Sequence, residues 1–133
     1  INCFKRLVGM KIIPLISICK PKQWKTISTK DLKENGYPVY GANGKIGFYD
    51  SYTHEFPTIL ITCRGATCGT INISESKSYV NGNAMALDQL SDDVNLFYLA
   101  HFLKFRKLTL NDLFLVMVNP RLAISLDIDT LIE

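Results

Sequence analysis

The spacing of glycine constrains this chain more than any other feature. From residue 37 to residue 90 the sequence breaks into short apolar pieces punctuated by glycine: YPVYGANGKIGFYD (37–50), FPTILITCRGATCGTINI (56–73) and SYVNGNAMALDQL (78–90). Glycine supplies backbone positions where a side chain would be costly, so Gly41, Gly44, Gly47, Gly65, Gly69 and Gly82 mark turns or bulges between short strands. The apolar run PTILIT (57–62) reads as the central strand, with residues 69–73 as its neighbour. This predicts a β-rich middle carrying several shaped loops.

The flanks differ in character. Residues 11–19 are rich in β-branched side chains with no 3.6-residue period, which predicts a buried strand. KPKQWK (20–25) reads as a turn holding the single Trp of the chain, suited either to anchoring the core under a basic loop or to stacking on a base. Ser28 with Asp31 three residues on predicts a short capped helix that the chain leaves at Gly36. Further on, Ser91, followed by Asp92 and Asp93, is expected to cap the helix VNLFYLAHFLKF, with Lys104, Arg106 and Lys107 near its end, the charge polarity that suits a helix dipole. Its apolar residues cover more than one face, so the helix is expected to lie against the sheet with His101 at the core or its boundary. Two more strands are expected at 113–118 and 122–126, around Asn119 and Pro120. The order of elements predicts an α+β fold, a twisted mixed or antiparallel β-sheet with short strands and Gly-rich loops packed against few helices.

A chain of 133 residues has room for one sizeable core but not for separate catalytic and binding modules, so residues 1–133 are read as a single domain. The chain begins at Ile1 rather than Met, which suits a fragment or a trimmed chain. Cysteines 3, 19, 63 and 68 lack the close pairs of a small zinc module, and reduced thiols in a cytoplasmic protein are the simplest reading. No run approaches the length of a membrane span. The net charge of +3 conceals an asymmetry: residues 1–33 carry eight basic side chains against Asp31 alone, a balance of +7, while the remainder balances at −4. Such a basic segment suits a nucleic-acid contact driven by counterion release, or simply a solvated surface.

Familiar catalytic patterns fail on spacing. GANGKIG lacks the four residues between the first Gly and Gly-Lys, and the Ser or Thr after it, that a phosphate loop requires; G-x-x-G-x-x-G is not a dinucleotide fingerprint either. The second His of a zinc-protease helix after His54 and Glu55 is Thr58. Cys63 and Cys68 could join a histidine around zinc, and Cys68 could serve as a nucleophile beside His54 or His101, but nothing specifies the rest of either site. NPRL (119–122) lacks the aromatic residue that amino-methyltransferases use to hold a flipped base.

What remains is a set of Gly-bounded loops rich in groups that donate and accept hydrogen bonds: Asn43 and Lys45; Tyr49, Ser51, Tyr52, Thr53 and His54; Arg64 and Thr67; Asn72, Ser74, Ser76, Lys77 and Tyr79; Asn81 and Asn83. This chemistry fits reading of base edges and phosphates. It also fits an ordinary β protein, because Asn and Gly favour turns for local backbone reasons.

Three long stretches, YPVYGANGKIGFYDSY (37–52), PTILITCRGATCGTI (57–71) and SYVNGNAMAL (78–87), in this order and spacing, strongly resemble the target recognition domain of the DNA specificity subunit of type I restriction-modification systems. IPLISICKPKQWKTIS resembles the N-terminal strand and turn of that domain, and residues 96–105 its following helix, so the resemblance spans nearly the whole chain. It implies a non-catalytic protein without cofactor of its own that binds double-stranded DNA. It further implies that two such domains, separated by long helices, each read half of a split site. The partners implied are a modification subunit, which methylates adenine with S-adenosylmethionine, and a restriction subunit, which cleaves with ATP and Mg.

By the same resemblance the glycines are scaffold, and readers lie in the loops between them. Arg64, within the most widely shared motif, is expected to hold the fold or a phosphate, with Thr67 beside it. Lys20, Lys22, Lys25, Lys45 and Lys77 are expected to place the DNA backbone, and Asn43, Ser76 and Tyr79 to contact bases or a groove. Two departures stand out: LVMVNPRL (115–122) lacks the glycine of the family's late turn, and the sequence stops at Glu133 before a spacer helix, as a truncated half would. A structural or protein-interaction domain is the competing reading, with a small cysteine- or zinc-dependent enzyme behind it.

Overall fold

In the computed structural model, residues 10–63, 67–106 and 123–127 are described. They form β1 (Met10–Pro14), a 3-10 turn (Leu15–Ser17), β2 (Lys20–Gln23), a second 3-10 turn (Thr29–Asp31), β3 (Tyr37–Gly41), β4 (Gly44–Tyr49), β5 (Ile59–Thr62), β6 (Ile71–Ile73), β7 (Tyr79–Val80), β8 (Ala84–Asp88), helix α1 (Leu96–Arg106) and β9 (Ala123–Asp127).

The uninterrupted apolar run of β5 has a direct structural consequence. Side chains alternate across a strand, and Ile59, Leu60 and Ile61 are all buried, so both faces of β5 must be covered. On one face Ile59 and Ile61 join Ile71, Met85, Leu87, Leu15, Ile18 and Cys19 beneath Leu99, Ala100 and Leu103 of α1. On the other, Leu60 meets Ala84 and Ala86 of β8, with Tyr40 from β3, Val80 from β7 and the half-buried Trp24. The two alanines leave room for the large rings that cross to them.

The central sheet has the strand order β2-β8-β5-β6 and is antiparallel throughout. A second, mixed sheet has the order β4-β3-β7, with β3 antiparallel to β4 and parallel to β7. Strands β1 and β9 form an antiparallel pair, Met10 opposite Asp127. The described architecture is thus α+β, with one α-helix of eleven residues against mixed and antiparallel sheets. None of the described helices is long and apolar enough to cross a membrane.

Several local expectations change. The strand expected over 11–19 ends at Pro14, and Leu15–Ser17 turn in a 3-10 coil that buries Leu15. KPKQ is not a turn but strand β2, pairing Lys20 with Asp88 and Gln23 with Met85. Pro21 fits there because β2 is an edge, where a missing N–H breaks no ladder on the open side. The helix expected after Ser28 is a single 3-10 turn; its cap is present, the Ser28 side chain accepting from the Lys30 N–H at 3.3 Å. At α1 the capping side chain is Asn95, whose Oδ1 accepts from the Tyr98 N–H at 2.9 Å, rather than Ser91. His101 is exposed on that helix instead of lying at the core. The strand expected at 113–118 lies outside the described residues, as does residue 122 of the next, which is β9.

Candidate nucleic-acid interface

Strand β2 alternates exposed and half-buried residues, so Lys20 and Lys22 share the open face while Pro21 and Gln23 turn inward. Lys22 Nζ stands 4.0 Å from the centre of the Trp24 ring, a cation–π arrangement. The indole N–H in turn donates to Asp88 Oδ2 at 2.9 Å, and Asp88 Oδ1 is 2.7 Å from His54 Nε2. Trp24 and His54 meet edge to face at 4.9 Å. Asp88 therefore holds two ring systems, and Trp24 is an anchor beneath the lysine-bearing segment.

The segment after Trp24 is tied to the YVNGN run. Tyr79 is buried and its hydroxyl donates to the Lys25 carbonyl at 2.9 Å. Asn81, also buried, accepts from the Ile27 N–H at 2.8 Å, and its amide lies 3.5 Å from the Ile27 carbonyl. Gly82 is required by close approach: a Cβ there would lie 2.5 Å from the Trp24 carbonyl oxygen and 2.6 Å from Thr26 Oγ1. Lys25 is exposed on the outside of this strap.

A set of loop tips converges beside the strap. Ala42 and Asn43 join β3 to β4, Gly41 pairing with Gly44, and Gly44 takes φ +98°. That is a short hairpin closed by a left-handed residue, a role open to glycine at little cost. Thr62 Oγ1 donates to the Ala42 carbonyl, fixing the tip that carries the exposed Asn43 against the end of β5. From there the Cys63 N–H donates to the Asn83 carbonyl at 3.1 Å, and Gln23 Nε2 bridges Cys63 Sγ at 3.0 Å and the Gly82 carbonyl at 3.2 Å. Thr67 is exposed across the same loop, its carbonyl taken by the Thr70 N–H and hydroxyl. Arg64 and Gly65 lie outside the described residues.

A second group surrounds the stretch between β6 and β7. Lys45 Nζ and Glu75 Oε1 form an ion pair at 2.6 Å, which raises the Lys45 pKa chiefly through that hydrogen bond. Ser76 and Lys77 are exposed beside it, and Lys77 takes φ +54° while its N–H donates to the Glu55 carbonyl at 3.0 Å. A left-handed lysine is strained and needs such fixing.

Of the residues singled out from sequence, Lys20, Lys22, Lys25, Asn43, Lys45, Thr67, Ser76 and Lys77 are exposed. Tyr79 is not: it is buried, and its hydroxyl is taken up by the Lys25 carbonyl, which ties it to the strap. Asn81, grouped from sequence with the hydrogen-bonding loop residues, and Gln23, not singled out there, both hold the backbone in place. Asn81 lies in the YVNGN motif just after β7, and that two-residue strand is too short for a period to show which neighbouring side chains are buried.

Among the described residues no three His, Cys, Asp or Glu side chains gather as a metal-binding group. Cys68, half-buried, has its thiol pKa raised mainly by burial, the opposite of what a nucleophile needs.

The profile of the type I restriction modification DNA specificity domain matches residues 8–125, most of the chain. The chain belongs to that family. Among solved structures, this specificity domain is similar to the type I restriction-modification S subunit from M. genitalium, at 22% identity and a TM-score of 0.67. That alignment covers 95% of the present chain and 34% of the other. The HsdS subunit from Thermoanaerobacter tengcongensis aligns at 17% identity and TM-score 0.62, covering 89% and 33%. A chain from a study of complex assembly and conformational transition of the type I system aligns at 17% identity and TM-score 0.63, covering 89% and 34%. The specificity domain thus spans about a third of the length of these structures, which share its fold. No curated protein sequence matches it.

Proposed function

We propose that this domain reads one half of a bipartite double-stranded DNA site in the cytoplasm and is itself non-catalytic. A modification subunit and a second recognition domain complete the assembly, so that methylation with S-adenosylmethionine and cleavage with ATP and Mg are directed to the site by partners. The observation that carries this reading is the family match over residues 8–125. The geometry supports it: exposed lysines lie on an edge strand and strap, and exposed Asn43 and Thr67 lie on hairpin tips tied rigidly to the sheet. In this reading Lys20, Lys22, Lys25 and Lys77 meet phosphates, Arg64 holds the fold or a phosphate, and Asn43, Thr67 and Ser76 face the groove.

The test is selection of bound duplexes from a random pool, with the chain alone and with the modification subunit. A single short half-site in both is expected. Alanine at Lys22 and Lys25 should weaken binding to all sequences and lower the slope of log affinity against log salt by about 1 to 2. Binding without sequence preference would indicate a protein-interaction domain instead, and an unchanged salt slope would remove these lysines from the interface.

A further inference from the structure

We propose that Lys45 and Glu75 act as one unit that reads a G·C base pair in the major groove. This rests on the DNA-recognition reading above and names a specificity-determining pair within it.

The two residues come from different elements, Lys45 from β4 and Glu75 from the stretch after β6. Their ammonium and carboxylate touch at 2.6 Å, and the side chains remain 50% and 56% exposed. Both are held from beneath. Lys45 follows the Gly44 hairpin tip and pairs across the sheet with Tyr40, whose buried ring directs its hydroxyl to accept from the Glu75 N–H at 3.2 Å. The Glu75 carbonyl accepts from Ser78 Oγ at 2.7 Å. The backbone under the carboxylate is thereby clamped on both sides.

An exposed ion pair of this kind contributes little to stability. Nor does a carboxylate help a lysine to hold phosphate, since it cancels the charge and repels the strand. The pair has instead the pattern of a base-pair edge. In the major groove guanine presents two acceptors, N7 and O6, directly beside the N4 amino donor of cytosine. An ammonium has three donors, so Lys45 can serve the guanine acceptors while keeping Glu75, and the carboxylate has lone pairs free for the cytosine amino group. An A·T pair fits less well. There the ammonium finds N7 alone, and a carboxylate drawn to the adenine amino group stands against the O4 acceptor of thymine.

The experiment is selection from a randomised duplex pool by the chain assembled with its modification subunit, comparing the unsubstituted protein with Lys45→Ala, Glu75→Gln and Glu75→Ala. Thermal unfolding confirms that each variant is folded. All three are expected to lose preference for G·C at one and the same position of the half-site, by about 5- to 100-fold, with the other positions unchanged. Glu75→Gln and Glu75→Ala that bind every duplex more tightly with the same preferences would overturn the proposal, leaving Lys45 as a phosphate contact muted by its neighbour. Loss of preference at an A·T position would overturn it equally. No preference at all in the unsubstituted assembly would overturn the DNA-recognition reading, and the pair's role with it.

Discussion

Gly82→Ala tests whether the strap that carries Lys25 is held by the fit around one glycine. The added Cβ would lie 2.5 Å from the Trp24 carbonyl oxygen and 2.6 Å from Thr26 Oγ1. Non-bonded heavy atoms rest at about 3.5 Å. The Thr26 hydroxyl can rotate away, but the Trp24 carbonyl cannot retreat without moving the backbone of residues 24–27. That movement strains three hydrogen bonds: Gln23 to the Gly82 carbonyl at 3.2 Å, Tyr79 to the Lys25 carbonyl at 2.9 Å, and Ile27 to Asn81 at 2.8 Å. Losing two of them costs about 2 kcal/mol, and overpacking adds about 1 kcal/mol or more. Equilibrium urea unfolding should therefore show a destabilisation of about 3 kcal/mol, and the phosphate role proposed for Lys25 adds weaker binding of all duplexes as that residue is displaced. Gly44→Ala is the contrast: its Cβ meets nothing within 4 Å, but φ is +98°, so only backbone strain of about 1 kcal/mol is expected. A Gly82→Ala protein within 0.5 kcal/mol of the parent on the order-of-magnitude scale of a surface change would refute the argument from close approach.

Tyr79→Phe removes only the hydroxyl that donates to Lys25, so stability should fall by about 1 kcal/mol while the selected half-site stays the same; a changed base preference in duplex selection would restore Tyr79 as a reader. Asp88→Ala leaves both the Trp24 N–H and His54 Nε2 without their acceptor, and denaturant titration should show a loss of about 2–4 kcal/mol, against a negligible change if solvent replaces the carboxylate. Burial pushes the Cys19 thiol up from about 9 to about 12, with Asp88 adding to the shift. Because the folded state resists deprotonation that the unfolded chain allows, stability is full below pH 9 and falls above it by about 1.4 kcal/mol per pH unit until the folded thiol also ionises. Cys19→Ala should flatten that part of the unfolding pH profile, and a profile identical to that of the parent would contradict the shift.

The residues that were legible in the sequence are those whose local pattern and tertiary role coincide. PTILIT is apolar at successive positions because β5 is covered on both faces, and GANG is a hairpin because Gly44 needs φ +98°. Strand β2 was hidden because its lysines and proline argue for a turn; only pairing with the AMALD of β8 makes KPKQ extended, and nothing local announces that partner. Asn95 was hidden behind Ser91 and two aspartates that are equally good caps by composition, and the backbone path decides among them. The exposure of the lysines and of Asn43, Thr67 and Ser76 followed from their chemistry. The burial of Tyr79 and of Asn81 just beyond it did not, because the two-residue β7 has no period to show which side chains turn inward.

The strap from Trp24 to Ile27 is fastened at Lys25 and Ile27 through main-chain atoms: Tyr79 reaches a carbonyl and Asn81 an amide. A fastening to the main chain is indifferent to the side chain it carries. Position 25 can therefore be exchanged without undoing the bond that locates it. Inheritance can alter what the strap offers to a ligand while the grip of Tyr79 and Asn81 stays the same, so that variation in address need not be variation in frame.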